Sequence, residues 1–177
     1  MEKRDVILSC MEKRRSCRNF KSDMIPSDIL EKILRAGTFA ASGRNRQSPV
    51  IIAVTNKKLR DEISLWNRKI MGTDSDPFYN APVILIVLAD KNVPTYLYDV
   101  SLVMANLMLA AHSCGVASCW IHRAKEEFDS DEGKLLLKKL GISGEYEGIG
   151  HCALGYSAVP LPEEAPPRKK DYIYYVD

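Results

Sequence analysis

The 177 residues are 46% hydrophobic and 27% charged, proportions that exclude intrinsic disorder, collagen-like repeats and low-complexity sequence and suit one domain over 1–177. A chain of this length buries roughly 70% of its unfolded surface on folding, enough core to need no disulfide staples. Lys and Arg total 25 against 23 Asp and Glu, a net charge of +2, which argues against a general nucleic-acid binder and makes any anion site local.

The five cysteines (Cys10, Cys17, Cys114, Cys119, Cys152) are odd in number, and Met1 to Asp5 turns charged before an apolar leader could form. Together these predict free thiols and a cytoplasmic setting. Val100 to His122 lacks Asp, Glu, Lys and Arg and is long enough to span a bilayer, but polar residues and Gly115 interrupt it. It reads as a buried helix followed by a buried strand, with no membrane partner.

In chain order, residues 5–12 read as a short helix, followed by the basic stretch Arg14-Arg15-Ser16-Cys17-Arg18. Pro26, Asp28 and Glu31 mark a helix start, Ile25, Ile29, Leu30, Ile33 and Leu34 share a face, and Gly37 signals the end. A non-periodic loop over 41–48 leads into the strand 50–54, and a helix follows at about 57–70. Val83 to Leu88 is apolar on both faces, as expected of a strand covered on both sides. The helix at about 97–114 is apolar nearly all round, which predicts a core or subunit-interface position. Strands follow at 116–121 and 148–156, separated by a helix at 131–140. A proline-rich arm from about 158 ends in Arg168-Lys169-Lys170 and the aromatic run Tyr172 to Val176. That run reads as a final strand augmenting a sheet, its own or a partner's. The fold class is α+β, a central mostly antiparallel sheet flanked by helices, in a dimer.

No dinucleotide-binding or phosphate-loop glycine motif, zinc-protease helix or serine-hydrolase elbow occurs. Arg14, Ser16 and Arg18 alternate, so an extended segment lets their side chains converge on one anion, with Arg supplying paired donors and Ser a hydroxyl. A solvated charge run is the alternative. Arg168-Lys169-Lys170 carries the same two readings. Ser42, Gly43 and Asn45 lie in a loop dense in donors, which presents either a ligand or ordinary turn chemistry. Cys114, Cys119, Cys152, His112, His122 and His151 lack paired metal knuckles, so no metal site is expected.

In combination these segments resemble the nitroreductase family of flavin mononucleotide (FMN) oxidoreductases. The carriers are Arg14 to Phe20, Ser42 to Pro49, Asp76 to Pro82, Leu109 to Val116 with Ser118 to Ile121, and Leu154-Gly155-Tyr156 with the Arg168-Lys169 tail. They span nearly the whole chain in the family's order.

The resemblance implies an intertwined homodimer with two FMN sites and an exchanged C-terminal strand, the arm of about 158–177 wrapping the partner subunit. It gives Arg14, Ser16 and Arg18 to the FMN phosphate, ribityl chain or pyrimidine edge. Arg15 contributes chiefly through its backbone, and Arg168, with Lys169 or Lys170, closes on the phosphate. Ser42, Gly43 and Asn45 come from the partner subunit, and Asn67 faces the ring's pyrimidine. Trp120, Ile121, His122 and Arg123 pass the ring near N5, with His122-Arg123 standing where many relatives have Glu-Gly. The implied activity is hydride transfer from NADH or NADPH to the flavin, followed by electron delivery to a nitroaromatic, quinone or similar small-molecule acceptor in a ping-pong cycle. No catalytic side chain is required, and His122 is a candidate by position only. A specialised flavoenzyme, such as a dehalogenase or dehydrogenase, and a non-catalytic flavin-binding regulator are the alternatives.

Overall fold

The computed structural model describes residues 3–162 and 164–177; Glu163, within the expected arm, lies outside the described residues. Four strands, β1 (Val50–Val54), β2 (Val83–Asp90), β3 (Ala117–Ile121) and β4 (Tyr146–Gly155), form one sheet in the order β1-β2-β4-β3. Every pairing is antiparallel, and a bulge interrupts the β2–β4 register between Val87 and Leu88. Residues 83–89 of central β2 are fully buried, which explains why that run lacks the polar alternation of a one-sided strand.

Two layers of helix cover the sheet. On one face α2 (Ser27–Thr38) and α4 (Tyr96–Ser113) pack Ile33, Val103, Met104 and Leu107 against Val83, Leu85 and Val87. On the other, α3 (Lys57–Met71), α5 (Ala124–Asp129) and α6 (Asp131–Lys139) close over Ile84, Ile86 and Leu88, with Ile63, Phe128 and Leu137 in the seam. The alternation along β2 thus feeds two separate cores. α1 (Lys3–Lys13) lies outside both, leaving Val6, Ile7, Leu8 and Met11 exposed.

The helices obey local rules. The Asn56 side chain accepts from the Leu59 N–H at 3.0 Å to cap α3, and Gly72, in the left-handed region at φ 70°, ends it. Gly37 does not terminate α2, which runs on to Thr38. A Cβ there would lie 2.5 Å from Leu107 Cδ2, so this glycine lets α2 approach α4 closely.

Two further expectations change. α5 was not anticipated: its apolar signal is only Ala124 and Phe128, one turn apart and both buried. The strand expected over 172–176 is absent from this chain. A 3₁₀ turn spans Lys170–Tyr172, and Tyr172 to Val176 are exposed without sheet partners. A strand exists only against another backbone edge, and among the described residues the tail pairs with none. α4 is buried along Val100, Val103, Met104, Leu107 and Ala111 but leaves Leu97, Tyr98 and Leu102 open, so only one of its faces is core.

Candidate functional site

The basic stretch leaves α1 and meets the outer edge of β3 at a single bridge. Ser16 bridges Ser118 in parallel, and the Cys17 N–H donates to the Ser118 carbonyl at 2.9 Å. The segment stays tied beyond that point. The Phe20 N–H donates to the Tyr79 carbonyl at 3.2 Å and the Lys21 N–H to the Tyr156 carbonyl at 2.8 Å. The alternate residues Arg14, Ser16 and Arg18 therefore sit on an immobilised backbone.

Their charges meet at β3. Burial pushes the Cys119 thiol up, while Arg18, a hydrogen bond with Ser16 and Arg14 all pull the other way. Cys152, fully buried, is raised strongly by burial, with Arg14 again opposing. At the end of α4 the His112 imidazolium is disfavoured first by burial and then by the charges of Arg14, Arg15 and Lys13. Arg15 turns back, its Nη1 donating to the Glu12 and Arg14 carbonyls at 2.6 and 2.7 Å. Buried here without partners among the described residues are Arg14 Nη1, Arg15 Nε and Ser118 Oγ. Buried donors left unmatched are costly, and nothing among the described residues supplies their partners.

The donor-rich loop is equally fixed, at a different place. The Gly43 N–H donates to Asp99 Oδ1 at 2.9 Å, Thr95 Oγ1 donates to Asp99 Oδ2 at 2.9 Å, and Ser42 Oγ accepts from the Gln47 N–H at 3.0 Å. Gln47 Nε2 donates to Asn45 Oδ1 at 3.1 Å. Arg44, Asn45 and Gln47 all have positive φ, at 55°, 53° and 50°. Three such non-glycine residues in four positions are strained backbone held by its surroundings. Asp99 and His112 stand at opposite ends of α4, roughly 20 Å apart at 1.5 Å per residue.

The third group closes the far end of β3. Asn67 is fully buried; its Nδ2 donates to the His122 carbonyl at 3.0 Å and to Glu127 Oε1, while its Oδ1 accepts from Arg123 Nε at 2.8 Å. The amide is therefore turned inward with both its protons committed, leaving none for a ring carbonyl. Arg123 has φ 77°, in the left-handed region that ordinarily favours glycine. Glu127 Oε2 lies 2.8 Å from His151 Nε2, both fully buried; the contact is at ion-pair distance but off the axis of a hydrogen bond. The His151 ring stands edge-on to Phe78, centroids 5.0 Å apart. Trp120 and His122 lie beside one another, centroids 6.1 Å apart, and Trp120 covers Gly150, where a Cβ would fall 2.6 Å from Nε1. Ile121 is buried in the core on the α3 side.

Of the sequence-predicted residues, the structure gathers Arg14, Ser16 and Arg18 at one end of β3 and Asn67, His122 and Arg123 at the other. Ser42, Gly43 and Asn45 are held apart at the start of α4. Arg168 and Lys169 are exposed, Arg168 donating to the Pro166 carbonyl and Lys169 lying over the Tyr172 ring. Sequence reasoning missed Asp99, Glu127 and His151. An acid inside the apolar α4 run was the available signal for the first; nothing local marks the other two as partners. Among the described residues no cluster of three His, Cys, Asp or Glu is placed for a metal, and no helix is long and apolar enough to cross a membrane.

A sheet of order β1-β2-β4-β3 between two helical layers, with an arginine-rich segment at its edge strand, defines an α+β protein with a basic site at one end of the sheet. The Nitroreductase family profile matches residues 11–156, and the chain belongs to that family. A protein of Archaeoglobus fulgidus named "Putative NADH dehydrogenase/NAD(P)H nitroreductase" is 29% identical over 148 residues, 81% of this chain and 80% of that one. Among solved structures, a nitroreductase with bound FMN from Bacteroides fragilis superposes with a TM-score of 0.88 at 28% identity, covering 97% of this chain and 98% of that one. A nitroreductase with bound FMN from Desulfitobacterium hafniense gives 0.85 at 28% identity with the same coverage.

Proposed function

We propose that this protein is an FMN-dependent oxidoreductase that takes hydride from NADH or NADPH and passes electrons to a small acceptor such as a nitroaromatic or quinone, in a ping-pong cycle. The observation that carries this reading is the Arg14-Ser16-Arg18 segment tied to β3, with Arg14 Nη1 buried and unmatched, in a chain whose residues 11–156 match the Nitroreductase family. FMN, when bound, supplies the redox chemistry, and the protein supplies binding, orientation and electrostatics.

Arg14, Ser16 and Arg18 would hold the phosphate. From Ser118 to His122 the strand advances about 13 Å, at roughly 3.3 Å per residue, a length that ribityl phosphate and ring can span end to end. Trp120, Ile121, His122 and Arg123 would then border the ring, their backbone and the Arg123 guanidinium facing its polar edge. No side-chain nucleophile is needed, and His122 has no assigned proton-transfer step.

The Ser42–Asn45 loop lies some 20 Å from the basic segment along α4 of the same chain, too far for both to grip one phosphate end. A second copy would bring its loop to this site, which is the reading given to Ser42, Gly43 and Asn45. The exposed apolar residues of α1 and α4 and the unpartnered tail Tyr172 to Val176 supply surface for that homodimer, with Arg168 and Lys169 carried toward the phosphate by the arm. The cytoplasm, with its reduced thiols and supply of NAD(P)H, is the compartment this reading requires.

The test is an absorbance spectrum of the purified protein with FMN under nitrogen, before and after NAD(P)H. A yellow protein that bleaches supports the reading; a colourless one that takes up no added FMN would falsify it. Replacing Arg14 and Ser16 together by alanine removes two phosphate contacts, one of them charged, and should weaken FMN binding by about 100-fold with the fold intact. Unchanged affinity would take those residues out of the site.

A further inference from the structure

Glu127 is a fully buried carboxylate on a six-residue helix. Removing a carboxylate from water is expensive, and such groups are usually retained for what they hold in place. Its two oxygens meet different partners. One meets His151 of β4, itself fully buried with Nδ1 unmatched; the other accepts from Asn67 of α3. Asn67 in turn ties down both flanks of one strained residue, accepting from Arg123 Nε and donating to the carbonyl of His122.

The order of these contacts is informative. An amide between a carboxylate and a guanidinium can adopt only one orientation, with nitrogen toward the carboxylate and oxygen toward the guanidinium. A left-handed arginine is disfavoured and persists only where its surroundings over-determine it. Asn67 is the group that does so, and Glu127 with His151 is what fixes Asn67. Arg123 spends only Nε on this arrangement; its two terminal nitrogens have no partner among the described residues and the side chain is half-buried. They lie at the end of β3 opposite the Arg14–Ser16–Arg18 cluster.

We propose that Glu127 and His151 are positioning residues that act through Asn67 to aim the terminal nitrogens of Arg123 at the ring end of the flavin site, where a fixed guanidinium favours the more negative, reduced ring. This rests on the flavin reading above. The sequence separation explains why no motif shows it: four residues from α3, β4, α5 and the β3–α5 junction form one chain of contacts.

The experiment is the FMN midpoint potential, measured spectroelectrochemically on the FMN-loaded protein, for wild type, Arg123→Ala, Glu127→Ala, the double variant and Glu127→Gln. Arg123→Ala should lose about tenfold of the preference for reduced over oxidised flavin, a fall of about 30 mV for a two-electron couple. Glu127→Ala should fall by a similar amount, and the double variant by no more than either single change. Glu127→Gln, which keeps an acceptor for Asn67, should restore most of the potential. Should Glu127→Ala fail to fold, Asn67→Ala cuts the same link while leaving the Glu127–His151 pair, and is read the same way against Arg123→Ala.

A wild-type potential in the folded Glu127→Ala or Asn67→Ala protein, additive shifts in the double variant, or no effect of Arg123→Ala would overturn the positioning role while leaving FMN binding in place. A wild-type protein that binds no FMN would overturn the flavin reading itself, and this role with it. The two failures are seen in different proteins and cannot be confused.

Discussion

The carboxylate of Asp99, on the buried face of α4, accepts a hydrogen bond from the Gly43 amide 56 residues earlier in the chain, at 2.9 Å. Its second oxygen accepts from Thr95 Oγ1, so a single side chain fastens the 42–47 loop to the first turn of α4. A Cβ on Gly43 would lie 2.4 Å from the same Thr95 oxygen, which shows how closely the loop is drawn in. Asp99→Ala should cost about 2 kcal/mol, from one charge-assisted bond and the Thr95 hydroxyl left behind. Hydrogen exchange over residues 42–47 should accelerate as the three left-handed residues relax. Unaltered exchange there would mean that the loop is held by something other than Asp99.

His112 should report occupancy of the basic cluster. Its protonated form is disfavoured by burial and by the nearby charges of Arg14, Arg15 and Lys13. An anion on those arginines offsets the charge contribution and leaves the burial contribution in place. Adding inorganic phosphate or FMN should therefore raise the His112 pKa part of the way back toward the ordinary value, followed by NMR titration of the imidazole resonances. Anion binding should correspondingly take up a fraction of a proton in that pH range. A His112 titration indifferent to both anions would place the binding site elsewhere.

The turn before β2 is predicted to be the acid-sensitive part of the fold. Burial by itself raises the Asp76 carboxyl, but hydrogen bonds from Arg60, Ser64 and the Asn80 N–H, together with the Arg60 charge, outweigh it and hold the pKa below the ordinary value. The unfolded chain then takes up the proton at higher pH than the folded one. The stabilisation is fully present above the unfolded value near 4 and is lost as pH falls through the lower folded value. Asp76→Asn should cost about 2 kcal/mol at neutral pH, because Arg60, only 7% exposed, loses its more buried counter-charge and keeps only Asp61, at 3.3 Å. Its thermal midpoint should fall less steeply between pH 4 and the acid limit than that of the wild type. Parallel curves for the two proteins would remove Asp76 from the acid transition.

The two kinds of information divide cleanly along the chain. Strands β1, β2 and β3, the amphipathic α2 and the capped α3 follow from patterns repeating every two or about 3.6 residues, because burial on one face is a local constraint that each segment must satisfy alone. The ordered motifs from Arg14 to Tyr156 likewise carry the family resemblance in the sequence itself, since side-chain patterns such as the alternation in Arg14-Ser16-Arg18 are written in neighbouring residues. What only tertiary structure decided are contacts between segments with no local signature: Asp99 with Gly43, Asn67 with Arg123, and Glu127 with His151. Each depends on how strands register and how helices seat on the sheet, and neither partner's neighbours in sequence encode the other. The tail shows the same limit from the opposite side. Tyr172 to Val176 has the composition of a strand, but hydrogen bonding to a second edge makes a strand, and no edge of its own chain meets it.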